Sequence, residues 1–381
     1  MTRKLTHKER LLCAINHGEA DKLPTYGFKS EPGFDQKYIQ ERMGGRRIHL
    51  KNRVRFYQDQ TILVALGIDA TTDPFLANGF DVAEFGWKPL KKEDGSVIFP
   101  DGRIYKKASD GRAFYIGGAW TSLEIRDEQF PRRIPPSERT FDQFEKFYNQ
   151  KVIKEDKIYV FPIINGLHEG NWLGLGYIPF AKELRKPTGL LEQTIDELHK
   201  VNIEICKRLL DIDPEMIIAF TDDIAQKGKL MVSPEQFRKY YLPRYKSLFN
   251  SIHKRGGRTM IHTDGKIDGL IPCYIEMGLD LLQGLEPAAG VDIISLNEQY
   301  GDEISWNGNI DVSVLLWQGT PDEVRRQCEK VIEAVAPSNN LVFGPCTDIM
   351  AWHPIENIET LYGTAKAYDV QAHAFNYSRQ Q

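Results

Sequence analysis

The chain has 381 residues, of which 41% are hydrophobic and 27% charged, and a net charge of -4. That length buries a full core, and a barrel of eight βα units with insertions reaches it as one domain. With no basic excess to hold phosphate backbones, nucleic acid is excluded as the expected partner.

No run of apolar residues long enough to span a bilayer occurs, and the basic start Met1-Thr-Arg-Lys-Leu-Thr-His-Lys-Glu-Arg10 leads into no apolar stretch. Neither a membrane nor an export signal is expected, and the chain reads as cytoplasmic. The cysteines, at positions 13, 206, 273, 328 and 346, are odd in number and are expected as free thiols.

In chain order, a helix is predicted over residues 6–17 and a short strand near residues 23–28. Regular alternation is then lost up to about residue 150. Between Trp87 and Gly118 the pairs Asp94-Gly95, Asp101-Gly102 and Asp110-Gly111 separate short alternating segments, the pattern of tight hairpins. A β-meander insertion at about 75–120, laid over the mouth of the domain, is expected. Its aromatics (Phe75, Phe80, Phe85, Trp87, Phe114, Tyr115, Trp120) serve mainly to pack the insertion, and one or two of them are open to line an apolar ligand pocket.

From residue 157 onward, short apolar or β-branched runs alternate with amphipathic helices. The runs at 157–164, 216–220, 259–262, 279–282, 303–306 and 341–343 read as buried strands. Helix starts between them are explicit: Ser233-Pro234-Glu235-Gln236 supplies an N-cap, a proline at the first position and a capping-box glutamine, for a helix running to Gly256-Gly257. Thr320-Pro321-Asp322-Glu323 repeats the device for a helix ending before Pro337. Right-handed strand–helix–strand units either close into a barrel or wind an open sheet. No Gly-rich dinucleotide or phosphate loop favours the open sheet, so a single (β/α)8 TIM barrel over residues 1–381 is predicted.

Reactive side chains of such a barrel sit at the C-terminal ends of its strands. The residues following the predicted runs are His168 and Glu169, with Trp172 and Tyr177 close behind; Asp222 and Asp223; His262 and Asp264; Glu286; Asn309 and Asp311; and Cys346. Taken singly, each has an ordinary reading. Asp222 or Asp223 caps the next turn, Asp264 before Gly265 makes a turn, His262 is a hydrogen-bonded core imidazole, and Glu286 completes a loop. Cys346 stands apart, because Gly344-Pro345-Cys346-Thr347-Asp348 places a thiol on a tight turn beyond a strand. A thiolate, an imidazole and one or two carboxylates at one mouth match a zinc site with an open position.

The segments that carry a wider likeness are Thr6-His-Lys-Glu-Arg-Leu-Leu-Cys-Ala-Ile-Asn-His-Gly18 with Asp21-Lys-Leu-Pro24, Thr221-Asp-Asp-Ile-Ala225 followed by Met231-Val-Ser-Pro-Glu-Gln-Phe237, and Leu285-Glu-Pro-Ala-Ala-Gly-Val-Asp292. Trp306-Asn-Gly-Asn-Ile-Asp311, Gly319-Thr-Pro-Asp-Glu-Val324 and Pro354-Ile-Glu-Asn357 extend it. With these the chain resembles the superfamily of uroporphyrinogen decarboxylase and the cobalamin-dependent methyltransferases, whose fold is a (β/α)8 barrel. The decarboxylase carries an arginine-rich segment after its first strand, whereas Tyr26-Gly-Phe-Lys-Ser-Glu-Pro-Gly-Phe34 has no arginine and Arg42, Arg46 and Arg47 lie in a polar, helix-like stretch, which disfavours a porphyrinogen. The thiol-activating methyltransferases hold zinc through a His-x-Cys motif and a distant cysteine in a Gly-Pro turn. His262 and Cys346 match, while Asp264 stands at the middle position.

The resemblance therefore implies a zinc-dependent methyltransferase with metal ligands His262, Asp264, Cys346 and Glu286. A carboxylate in place of a thiolate makes the bound zinc a stronger Lewis acid, suited to an ether oxygen. The expected reaction moves a methyl group from a small methylated donor, foremost a methoxylated aromatic, to the Co(I) of a corrinoid carried by a partner protein, since no Asp-x-His-x-x-Gly cobalamin motif is present. Glu169, Asp222 and Asp223 are the expected acid or base groups, and His168, Trp172, Tyr177 and Asn309 the expected substrate contacts. A homodimer is the default assembly. The alternatives are a cofactor-free decarboxylase using Asp222 or Asp223, a coenzyme M type thiol methyltransferase, and a non-catalytic docking subunit.

Overall fold

A computed structural model describes residues 3–45, 60–73, 89–108 and 113–368. Its strands, in chain order, are β1 (Ala70–Asp73), β2 (Leu90–Lys91), β3 (Ser96–Ile98), β4 (Arg103–Lys107), β5 (Ala113–Gly118), β6 (Tyr159–Asn165), β7 (Ile217–Thr221), β8 (Ala225–Gln226), β9 (Lys229–Leu230), β10 (Arg258–Thr263), β11 (Leu281–Gly284), β12 (Ser305–Ile310) and β13 (Leu341–Pro345).

Seven of these form one curled sheet in the order β1-β6-β7-β10-β11-β12-β13, with every pairing parallel. A short stave at Thr25 and Tyr26 joins its two edges. On one side Tyr26 N donates to Phe343 O at 2.9 Å and Phe343 N to Pro24 O at 2.8 Å; on the other, Ala70 N donates to Thr25 O and Gly27 N to Ala70 O, both at 3.0 Å. The sheet edges are thereby paired, and the fold is the expected βα barrel. Because helices cover the outside and side chains fill the inside, the staves are buried on both faces and read as apolar runs.

The runs read as strands at 157–164, 216–220, 259–262, 279–282, 303–306 and 341–343 all form staves, shifted toward their C-termini by one or two residues at most positions. β1 lies outside the six, because Ala-Thr-Thr-Asp carries no apolar signal. All four of its residues are nonetheless buried. Thr72 Oγ1 is 3.0 Å from the Tyr26 hydroxyl and Thr71 Oγ1 donates to Phe28 O at 2.9 Å, so tertiary partners satisfy the two threonine hydroxyls.

Both predicted capping boxes form, at Ser233 with Gln236 and at Thr320 with Glu323, and a third forms at Thr6 with Glu9. The helix begun at Ser233 does not run unbroken to Gly256. It divides into Pro234–Tyr240 and Leu242–His253, because Pro243 has no N–H to return to Lys239.

β2 to β5 make an antiparallel meander, with Gly95 and Gly102 taking the left-handed φ of 80° that its turns require. The Asp110-Gly111 turn and the aromatics Phe75, Phe80, Phe85 and Trp87 lie outside the described residues, as do Arg46 and Arg47. The meander rests on the helix Glu169–Leu175 that follows β6: Trp120 N donates to Gly174 O and the Tyr115 hydroxyl to Leu173 O, each at 2.9 Å. Backbones meet so closely there that a Cβ on Gly118 would lie 2.3 Å from Gly176 N. The meander therefore sits at the C-terminal mouth of the barrel.

Among the described residues no helix is long and apolar enough to cross a membrane. All five cysteines are free.

Candidate metal centre and active site

β10 delivers His262, and the turn after it delivers Asp264. The segment after β7 delivers Asp222 and Asp223. Nitrogen or oxygen atoms of Asp223, His262 and Asp264 lie within 4.8 Å of one another. His262 Nε2 is 4.0 Å from Asp223 Oδ1 and 3.9 Å from Asp264 Oδ2. These distances exceed hydrogen-bond length and leave a space bounded by three donor atoms.

The imidazole is held on two sides. Its Nδ1 contacts Gln283 Oε1 on β11, and its face stacks on Phe28, with centroids 4.4 Å apart and planes 16° apart. Burial pushes the His262 pKa down, but the facing Asp264 and Asp223 carboxylates outweigh it and raise it above the usual value. Burial also raises the Asp264 pKa, against the pull of His262. Asp223 Oδ1 accepts from Asp264 N at 2.9 Å, and Gly265 N donates to Glu286 Oε2 at 3.1 Å.

A divalent cation fits this group. The Asp264 carboxylate has room for one: Oδ2 faces His262 Nε2 across the space, and Oδ1, buried on the other side, takes no hydrogen bond from any described residue. One imidazole and two carboxylates with a side open to the mouth would leave a bound cation an open position, unlike a closed four-ligand structural site.

Cys346 and Glu286 lie outside the close trio. The Cys346 thiol is buried, which pushes its pKa up; a Val312 N–H bonds to it, and the charges of Asp264, Asp311 and Glu286 face it. Asp223, read from sequence as an acid or base, lies inside the trio. Asp348, paired with Lys29 at 2.8 Å and facing His262, was not singled out from sequence. Nor were Gln283 and Phe28. The one signal for Gln283 is a polar residue inside the apolar strand Leu-Leu-Gln-Gly.

Asp222 serves a different purpose from its neighbour. It is buried, and its carboxylate accepts from His168 N and Glu169 N, both at 2.8 Å, and from the Tyr245 hydroxyl at 2.6 Å. Burial still pushes its pKa up to about 7. It fixes the turn that presents Glu169. Burial, with the Asp223 and Asp222 charges next, raises the Glu169 pKa well above the usual carboxyl range, so this side chain holds its proton near neutrality. Glu169 borders a small cleft shared with Arg103 of the meander, Arg133 and Asn165.

His168 is buried; its Nδ1 is 3.1 Å from the Tyr241 hydroxyl, and burial lowers its pKa to about 3, so it is a neutral ring. Trp172 and Tyr177 pack together with centroids 4.6 Å apart, and Tyr115 of the meander meets them edge-on at 5.6 and 6.3 Å. Asn309 belongs to another part of the mouth. It holds a φ of 89° and donates to Leu285 O at 2.7 Å, beside a cavity of about 570 Å³ lined by Pro287, Asp311 and Arg326 among others.

A parallel βα barrel whose strand ends gather a candidate metal-binding trio, a buried carboxyl and a cluster of aromatic rings has the layout of a barrel enzyme's mouth. The family described as Uroporphyrinogen decarboxylase (URO-D) matches residues 175–368, just over half of the chain, and the chain belongs to that family. It is similar to the "Methylcobamide:CoM methyltransferase MtbA" of Methanosarcina acetivorans, at 23% identity over 177 residues, which is 43% of this chain and 50% of that protein. The chain thus spans about half the length of the curated relative it matches. A solved methyltransferase from Methanosarcina mazei shares the fold, with a TM-score of 0.63 and 17% identity over 95% of this chain and 98% of that one.

Proposed function

We propose that the protein is a zinc-dependent methyltransferase, in which Asp223, His262 and Asp264 hold the cation and Cys346 and Glu286 border it. The observation that carries this reading is the trio itself, with its three ligand atoms within 4.8 Å of one another. The likeness to a methylcobamide methyltransferase supports a corrinoid on a partner protein as the methyl acceptor.

The donor we favour is a methoxylated aromatic. Zinc bound at the trio would supply a Lewis acid for the methyl-bearing oxygen. The donor's carbon–oxygen bond breaks with its electron pair left on oxygen, the methyl group passes to Co(I), and the oxygen takes up a proton. Glu169, kept protonated by burial and by its acidic neighbours, would provide that proton. Asp222 holds the Glu169 turn, and Trp172, Tyr177 and Tyr115 form a wall for the arene. His168, neutral beneath Trp172, supports that wall.

The name of the Methanosarcina acetivorans relative favours a second reading, methyl transfer to a thiol of coenzyme M type. One experiment separates them. Purified protein is incubated with Co(I) cobalamin and methoxybenzoate, or with methylcobalamin and coenzyme M. A phenol appearing as Co(I) absorbance falls supports ether demethylation, a methylated thiol supports the second reading, and neither product with a zinc-loaded protein removes both.

A further inference from the structure

We infer that Gln283 is a positioning residue that decides which nitrogen of His262 faces the cation, a role that rests on the metal reading proposed above. Gln283 lies inside β11, fully buried, in register with His262 on β10 and with Asn307 on β12. An amide placed among apolar staves is costly unless both of its ends are bonded. Both are.

Its Nε2 donates to the backbone carbonyl of Cys346 at 2.8 Å. A carbonyl only accepts, so the amide has one orientation here, with Oε1 turned toward His262 Nδ1. Oε1 in turn only accepts, so Nδ1 carries the hydrogen. In the neutral ring the lone pair then falls on Nε2, the nitrogen that faces Asp223 Oδ1 and Asp264 Oδ2. The chain of constraint starts at a carbonyl just past β13, crosses the barrel through one amide and ends at the ligating atom. It also ties the His262 ring to the turn that carries Cys346, so the two cannot shift independently.

The test uses the full chain with isotope-labelled histidine, metal-free and at alkaline pH, with the His262 signal identified by its loss in His262→Gln. NMR is expected to show Nδ1 protonated and Nε2 bare in the native protein. Gln283→Leu, which keeps the volume and removes both bonds, is expected to give mixed tautomers and to weaken Zn(II) and Co(II) binding about 10- to 100-fold in chelator competition. Gln283→Glu keeps the acceptor for Nδ1 and is expected to retain the native tautomer. A native His262 protonated at Nε2, or a folded Gln283→Leu with native tautomer and native affinity, overturns the assignment. Native protein that binds no divalent cation but shows protonated Nδ1 overturns the metal reading and leaves the tautomer assignment standing.

Discussion

The Phe28 ring lies flat on the His262 imidazole, 4.4 Å between centroids. Phe28 follows the short first stave, whose pairing with β1 and β13 closes the barrel, so closure of the fold and orientation of the candidate ligand share one segment. Lys29, next in the chain, lies over the same ring at 5.6 Å and pairs with Asp348. Phe28→Ala removes a stack worth about 1 kcal/mol and frees one face of the imidazole. Divalent-metal affinity is expected to fall several-fold with only a small drop in Tm, read by chelator competition and thermal melting. An affinity equal to native would show that the stack does not order the ring.

Removing single donor atoms ranks the candidate ligands. His262→Ala and Asp264→Ala are expected to lower Zn(II) affinity by about 100-fold or more, since each deletes one of three close ligand atoms. Cys346→Ser, outside the trio, is expected to cost less than either. Isothermal titration of the metal-free proteins measures all three. The reverse ranking would move the centre of the site toward the Gly344–Cys346 turn.

Asp222 and Glu169 separate a holding role from a chemical one. In Asp222→Asn one oxygen becomes an NH2 group facing a donor, among three groups that now donate to the carboxylate. A stability loss of roughly 1–3 kcal/mol is expected, with a fall in activity as Glu169 is displaced. Glu169→Gln should leave Tm near native and lower kcat by about 100-fold or more if the side chain supplies the proton. Denaturant unfolding beside steady-state kinetics distinguishes these outcomes.

How much of this could be read from the sequence depended on whether a signal lay within one element. The six staves and the two predicted capping boxes were legible because hydrophobic runs and Ser-Pro-Glu-Gln or Thr-Pro-Asp-Glu starts are local patterns. His262 and Asp264 were legible for the same reason, standing two apart at one strand end. β1 was not, since its threonines are satisfied only after Tyr26 and Phe28 are in place. The approach of Asp223 to His262 comes from the pairing of β7 with β10, and the Gln283 bridge to Cys346 and the Phe28 stack come from staves further apart, so none of them is a pattern within one element. Asp222 and Asp223, adjacent and chemically alike, were given one role from sequence. The structure parts them, because Tyr245 and two backbone N–H groups reach only Asp222.

At the opposite end of the barrel from the mouth, Asp69 reports on acid stability. It is buried, which alone would raise its pKa, but the hydrogen bond to His7 and the charges of Arg10 and Lys22 lower it from 3.8 to about 2. A depressed carboxyl stabilises the fold fully above its unfolded value and loses that contribution as pH falls through the folded one. The gap corresponds to roughly 2 kcal/mol, lost between about pH 4 and pH 2. Asp69→Asn is expected to be less stable than native at neutral pH, with the difference narrowing across that window. Unfolding by denaturant at a series of pH values measures it, and a constant difference down to pH 2 would contradict the assignment.

The meander contributes a residue to the mouth that no stave supplies. Tyr115 meets Trp172 at 5.6 Å and Tyr177 at 6.3 Å, and its hydroxyl is anchored on Leu173 O. If these rings form the wall for an arene, Tyr115→Ala and Trp172→Ala remove apolar contact made equally in the bound donor and in the transition state. Such uniform binding appears in KM and not in kcat. KM for methoxylated aromatics is expected to rise about 5- to 30-fold, consistent with edge-on ring contacts and buried area worth about 1 to 2 kcal/mol, while kcat changes little. KM for a small aliphatic methyl donor should stay near native, because such a donor does not reach the wall. Equal losses for both donors would mean that the rings hold the meander in place and touch no substrate, and Tyr115→Phe, which keeps the ring but loses the anchor on Leu173, would then share the defect.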